Sequence, residues 1–324
     1  MPPRGTNLRV VRRVLVIFPG ALGDLMCLMP SLAAIARSHP GASIELMARM
    51  ELAQLAAGRT VVARAHSIDA REVGALFTED ASGIARRLFD DFDRIYSFFA
   101  SDDPRFRARL SAATDARVSF HPFRPGGDGH ISTAYLRSIE TEIEAEAAAL
   151  PLNPRLEPTL HDLAAATSAL AQSNCGTSNL LVMFPGSGSP GKNWPANKFV
   201  ALASELSGRA RFAVVLGPAE MSLEPVFCAT GVPVLKQLDL PTVAAIARVA
   251  SAFVGNDSGV SHLAAGVGTC GVVIFGPTDP ARWRPIAPDG GGQIAVVRRT
   301  SIDTVEGREI AGILSKFVAS RQNH

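Results

Sequence analysis

Cysteine is scarce. Cys27, Cys175, Cys228 and Cys270 are the only four in 324 residues, and no two form a C-x-x-C pair. That spacing argues against a disulfide framework and against metal use, and it fits a reducing compartment. Long apolar runs are missing too. No stretch approaches the roughly 18 uninterrupted apolar residues that a membrane-spanning helix needs. The arginine-rich start followed by Val14–Phe18 has the outline of a secretion signal, but Pro19, Gly20, Gly23 and Asp24 interrupt it too early. Net charge is almost absent: 32 Lys+Arg against 30 Asp+Glu leave +2, which gives no footing for bulk nucleic-acid binding. A soluble, cytoplasmic protein is expected. Arg4, Arg9, Arg12 and Arg13 precede every acidic residue. Such a cluster allows peripheral contact with acidic phospholipid at the inner face of the cytoplasmic membrane; the plainer reading is a solvated basic tail.

What is present is a large apolar fraction, 47%, with 19% charged residues, enough to bury substantial cores. The length suggests two domains. Val14–Phe18, Ile44–Ala48, Arg94–Phe99 and Arg117–Phe120 read as strands. Residues 24–38 read as a helix kinked at Pro30, and residues 72–89 as helical in parts, broken near Ser82-Gly83. Ile131–Leu150 has a strong helical pattern. Three prolines between Pro151 and Pro158 form a semi-rigid connector, which places the boundary between domains 1–158 and 159–324. The second half repeats the alternation with strands at Leu180–Phe184, Phe212–Leu216, Val232–Leu235, Ala252–Val254, Gly271–Phe275 and Gln293–Val297. Its last helix is expected at Thr304–Ala319. The predicted class is α/β, two doubly wound Rossmann-like domains facing a cleft, with ligands at the carboxyl ends of the strands.

Three post-strand loops carry the chemistry. Phe18-Pro-Gly-Ala-Leu-Gly-Asp24 lets backbone approach a ligand at Gly20 and Gly23, and Asp24 stands at a helix start. It lacks the G-x-G-x-x-G spacing of dinucleotide sites, and Asp24 also suits a simple N-cap. Phe184-Pro-Gly-Ser-Gly-Ser-Pro-Gly-Lys-Asn-Trp-Pro195 joins flexible glycines to the hydroxyls of Ser187 and Ser189 and the point charge of Lys192. That set suits phosphate, without the spacing of a nucleotide-hydrolase P-loop. The third loop, Gly255-Asn-Asp-Ser-Gly259, opens a short helix with Asp257 or Ser258 as cap. Free N–H groups at such a start hold anions.

Together these segments resemble glycosyltransferase family 9, the ADP-heptose:lipopolysaccharide heptosyltransferases. The matching motifs are the early G-x-x-G-D, the P-G-S-G-S-x-x-K-x-W-P loop, D-S-G-x-S-H-L-A-A, and F-G-P-T-D-P followed by Trp283 and Pro285. The resemblance implies a GT-B fold with an N-terminal acceptor domain and a C-terminal nucleotide-sugar domain, the last helix crossing back onto the first. It implies Asp24 as general base. It implies donor contacts from Ser187, Ser189, Lys192, Glu220, and the run Asp257, Ser258, Gly259, Val260, Ser261 and His262. It also implies metal independence and no cofactor beyond the nucleotide-diphosphate sugar itself.

One departure stands out. Phe18-Pro-Gly-Ala replaces the polar, basic lead that many members carry before Leu-Gly-Asp, so acceptor contacts are sought at Gly23, Arg105 and Arg124 instead. The expected activity is inverting, metal-independent transfer of a sugar, heptose from ADP-heptose, to a lipopolysaccharide-core or related glycan or glycolipid acceptor. A sugar-nucleotide epimerase on the same fold and a non-catalytic nucleotide-sugar-binding protein are the rival readings.

Overall fold

A computed structural model describes residues 11–78, 82–145, 147 and 153–322. Arg4 and Arg9 of the basic start, and most of the expected helix beyond Ala145, lie outside them. Among the described residues no helix is long and apolar enough to cross a membrane. The chain folds as two compact units. The first comprises Met1–Pro19, Leu32–Pro125 and Ser138–Ala149; the second comprises Gly20–Ser31, Gly126–Arg137 and Leu150–His324. Two segments from the first half of the sequence therefore group with the second unit.

The first unit holds a parallel five-stranded sheet in the order β3-β2-β1-β4-β5. Its strands are β1 (Arg13–Ile17), β2 (Ser43–Ala48), β3 (Val62–Ser67), β4 (Arg94–Ser97) and β5 (Arg117–Phe120). Apolar runs such as Val14–Ile17 are buried throughout, as strands covered on both faces must be. Helices α1 (Leu22–Ser38), α2 (Met50–Ala56), α3 (Arg71–Ala75), α4 (Ser82–Phe89), α5 (Pro104–Ala112) and α6 (Ile131–Ile139) punctuate the first half. The α1 helix runs unbroken through Pro30. The α5 helix was not expected. Asp103 caps it by accepting from the amides of Arg105 and Phe106, and Phe106 and Leu110 anchor it in the core. The expected helix from Ile131 stops at Ile139, and a 3₁₀ turn, Glu140–Glu142, follows. Glu142 is held there by Arg94, at 2.7 Å, and Arg117, at 2.9 Å.

One charged cluster inside this sheet makes a stability prediction. Glu45 is fully buried, pairs with Arg13 through two hydrogen bonds of 2.9 and 3.0 Å, and meets His66 Nε2 at 2.7 Å. Burial pushes its carboxyl up, but the bonds from Arg13 and His66 outweigh that and leave it below 4.5. The stability it contributes is present above that value and fades as pH falls through the lowered one. Arg13→Met strands a buried carboxylate and should cost about 3–5 kcal/mol in denaturant unfolding. The double variant with Glu45→Met removes both charges and should cost far less.

The second unit carries a parallel six-stranded sheet in the order β11-β10-β9-β6-β7-β8. The strands are β6 (Leu180–Phe184), β7 (Arg211–Leu216), β8 (Val234–Lys236), β9 (Ala252–Asn256), β10 (Gly271–Phe275) and β11 (Ile294–Arg298). Its helices are α7 (Leu160–Gln172), α8 (Ala196–Glu205), α9 (Glu224–Cys228), α10 (Leu240–Val249), α11 (Gly259–Gly266), α12 (Pro280–Trp283) and α13 (Gly307–Gln322). The last helix buries Ile310, Leu314 and Phe317 in the same core as Met183, Val254 and Ile274. Strand order reverses between β6 and β9, which pair in register from Leu181↔Ala252 to Phe184↔Gly255. In an open α/β sheet the loops after those two strands flank the ligand crevice. They are the glycine-serine-lysine loop and Asp257-Ser258.

Candidate active site

The two switch-point loops are tied together by Asn256, a residue outside the expected site. Its side chain is fully buried, accepts from the Trp194 amide at 3.0 Å, and donates to the Pro185 carbonyl at 2.7 Å. One side chain thus fixes both ends of the loop that follows β6. Gly255 beside it must be glycine: a Cβ there would lie 2.5 Å from Ser261 Oγ and 3.0 Å from Phe184. An Asn closing a buried strand just before a turn was the available sequence signal.

The helix start lies where it was expected. Ser258 occupies the cap position of α11, although its hydroxyl bonds Ser261 Oγ at 3.2 Å rather than a helix amide. The amides of Ser261 and His262 turn back to the Ser258 carbonyl. Those of Gly259 and Val260 precede the first helical bonds, so they face outward with the positive end of the helix dipole. A cavity of about 310 Å³ opens there. Ser187, Glu220, Ser258, Gly259 and Val260 line it, together with Leu216, Leu238, Leu240 and Val243. The apolar lining was not foreseen, because buried Val243 on α10 has the same spacing as any core residue. Glu220 lies in a 3₁₀ turn, Pro218–Leu223, and its carboxylate rests against the Gly186 backbone, where a Cβ would collide with it.

Lys192 and Asp257 form an ion pair at 2.8 Å, Lys192 about one-third exposed and Asp257 buried. Ser187 Oγ donates to the Ser189 carbonyl at 2.7 Å and accepts from its amide at 3.2 Å, which shapes the loop. Ser261 is buried and donates to the Asn256 carbonyl at 2.7 Å. Its part is therefore to hold the turn.

The N-terminal turns of α1 belong to the same unit and pack directly on α11. A Cβ on Gly259 would lie 2.9 Å from Leu22 Cβ and 3.2 Å from the Gly23 amide; one on Gly266 would collide with Met26. Gly23 in turn faces the His262 ring, and Cys27 Sγ lies 3.7 Å from His262 Nδ1. Asp24 is buried at 4% exposure, and Oδ2 accepts from the Ala21 amide at 3.1 Å. Asp24 is therefore not the N-cap but the third residue of α1, reaching back to the amide of the residue that precedes the helix, and the same carboxylate lies near enough to Cys27 and His262 to influence both. Burial, reinforced by Asp24 and Asp257, pushes the Cys27 thiol up, so it stays protonated.

His262 is held on both sides of its ring, by Cys27 and by the Trp283 backbone. Burial pushes it down to about 4, against the pull of Asp257 and Asp24. The ring is neutral at pH 7. The stability linked to it is present above its ordinary value of 6.5 and lost as pH falls toward 4. That loss should be on the order of 3 kcal/mol. Denaturation of wild type and His262→Gln between pH 7 and 4.5 checks it: the variant should lack this part of the acid-side slope.

The proposed acceptor residues other than Gly23 lie in the first unit. Arg105 is exposed in the first turn of α5. Arg124 has φ of +55° and lies 5.0 Å over the Phe123 ring. Among the described residues no group of three or more His, Cys, Asp or Glu gathers to hold a metal ion.

Two parallel α/β sheets, with an anion-suited helix start at the switch point of the second, describe a GT-B glycosyltransferase. The chain belongs to glycosyltransferase family 9 (heptosyltransferase), whose sequence model matches residues 136–303, just over half of its length. No curated protein matches it. Among solved structures it is similar to a glycosyl transferase family 9 protein from Veillonella parvula, at 16% identity and TM-score 0.77, over 95% of this chain and 97% of that one. It is also similar to E. coli ADP-heptose lps heptosyltransferase II, at 17% identity and TM-score 0.74, over 96% and 99% of the two chains. E. coli heptosyltransferase WaaC with ADP follows at 18% and 0.67, over 94% and 99%. At these identities the likeness is one of fold.

Proposed function

We propose that this glycosyltransferase moves heptose from ADP-heptose to a lipopolysaccharide-core or related surface glycan, with inversion and without a metal, on the cytoplasmic side of the membrane. The observation that carries the reading is the cavity at the switch point, whose lining combines apolar side chains with anion-suited groups. Its apolar lining residues Leu216, Leu238, Leu240 and Val243 suit a nucleobase, and Glu220 in the same cavity suits the ribose hydroxyls. The outward amides of Gly259 and Val260, with Lys192 nearby, suit a diphosphate. The similar folds of E. coli heptosyltransferases, one of them with ADP, support the choice of donor.

The chemistry follows from charge. The Asp24 carboxylate takes the proton of the acceptor hydroxyl as its oxygen attacks the anomeric carbon. The bond from that carbon to the diphosphate breaks on the opposite face, and ADP leaves. Negative charge grows on the departing oxygen, where Lys192 and the start of α11 meet it. The sugar-carrying end of ADP-heptose lies toward Asp24 in this reading. A thermal-shift series with ADP, GDP, UDP and their sugars tests it, since a ligand that prefers the folded state raises the midpoint. ADP and ADP-heptose should raise it most; a preference for UDP or GDP would overturn the donor. Conversion of ADP-heptose to another nucleotide sugar without an acceptor would make the protein an epimerase instead.

A further inference from the structure

A second cavity of about 880 Å³ opens on the second unit, at the amino ends of β9, β10 and β11. This is the edge of the sheet opposite the switch-point loops, so it is not part of the donor site. Three cations line it from separate parts of the chain: Arg155 before α7, Arg248 in the last turn of α10, and Lys316 on α13. Ser251 and Thr269 add hydroxyls, and the run Gly290–Gly292 leaves one wall without side chains. No carboxylate among the described residues lines it.

The cations have a plainer use, which is to neutralise carbonyls at helix ends. Most of those carbonyls already have other donors. Leu263, Ala264, Ala265 and Gly266 of α11 accept from the amides of Val267, Thr269, Gly268 and Leu156. In α10, Ile246 accepts from the Ala250 amide and Ala247 from Thr269 Oγ at 2.7 Å. Neither the Arg248 nor the Lys316 side chain has a hydrogen bond or ion pair among the described residues. Arg155 meets Glu157 at 3.5 Å, yet its guanidinium lies flat against Gly268, whose Cβ would fall 2.8 Å from it. Asp289, the acid next to the glycine run, is engaged by Asn153.

We propose that this groove is a second anion site, for a small ligand carrying two or more phosphate groups. A groove of about 880 Å³ lined by three cations from separate elements has room for more than one phosphate, as in a polyphosphate or a bisphosphorylated sugar. The attraction between these side chains and phosphate is ionic and open to solvent. Binding is therefore steeper at low salt than at high salt. The reaction described above does not use the groove.

Calorimetry on the full chain tests this, with ADP at saturation to occupy the donor site. The probes are inorganic triphosphate and glucose 1,6-bisphosphate, which separate a free polyphosphate from a phosphorylated sugar as the source. At least one should bind at one further site. Arg248→Ala with Lys316→Ala should weaken that binding about tenfold or more, and Lys192→Ala should leave it unchanged. Both groove residues reach the surface, and an unaltered melting midpoint confirms that the variant folds. The inference is overturned if neither probe binds, if the double variant binds as wild type does, or if Lys192→Ala abolishes binding. Should ADP itself not bind, the donor reading fails, and the contrast between the two sets of variants still decides the groove.

Discussion

Asp24→Asn should lower transfer by about 10²–10⁴-fold while ADP binds as before. The substitution keeps the shape of the side chain and an oxygen that can accept the Ala21 amide, so the first turn of α1 stays capped. What it removes is the carboxylate proposed to take the acceptor proton. Because α1 is locked onto α11 through Gly23, Gly259 and Gly266, the variant should keep the packing around His262. Single-turnover rates with saturating donor, beside the dissociation constant for ADP, separate the two effects. Transfer near the wild-type rate would remove Asp24 from the base role. A matching loss of ADP affinity would make it a structural cap.

Lys192→Ala should have the next largest effect, for two reasons that add. It removes a cation from the growing charge on the leaving diphosphate, typically about 2.7–4 kcal/mol of barrier per donor. It also strands Asp257, a buried carboxylate whose 2.8 Å partner is gone, beside the proposed diphosphate site. The second effect makes a sharper test than the first. Lys192→Ala combined with Asp257→Asn should bind ADP more tightly than Lys192→Ala alone, because the repulsion is lifted. If the two losses simply add, the pair does not act on the diphosphate as a unit.

Much of this fold was legible because buried parallel strands read as continuous apolar runs. Leu180–Phe184 needed no correction, and Val14–Phe18 is displaced by a single residue from Arg13–Ile17. The helix α5 was hidden because Arg105, Arg107 and Arg109 dominate its composition, and only Phe106 and Leu110 reach the core. The helix expected to run to Leu150 has good local propensity, but Arg94 and Arg117 draw Glu142 into a 3₁₀ turn, so tertiary charge pairing ends it.

The site was legible in its polar half. Glycine, serine and lysine after one strand, and a capped helix after another, point to an anion whatever their partners. Its apolar half was not, since Leu238, Leu240 and Val243 could equally have been core. Linear order also concealed that Gly20–Ser31 groups with the second unit. A close crossing of two helices through glycines leaves no charge or periodicity to mark it. His262 carries the opposite lesson. A histidine in a ligand-like motif is here enclosed by Cys27 and Trp283, so its influence on the site passes through the packing of α1.

The central claim is that the switch-point cavity holds an ADP-sugar and that Asp24 acts on the acceptor rather than on the donor. Calorimetric titration of ADP-heptose into wild type, Asp24→Asn and Lys192→Ala tests both halves at once. The account predicts equal affinity for wild type and Asp24→Asn, and binding at least about tenfold weaker for Lys192→Ala. No binding to wild type, or equal losses in the two variants, would contradict it.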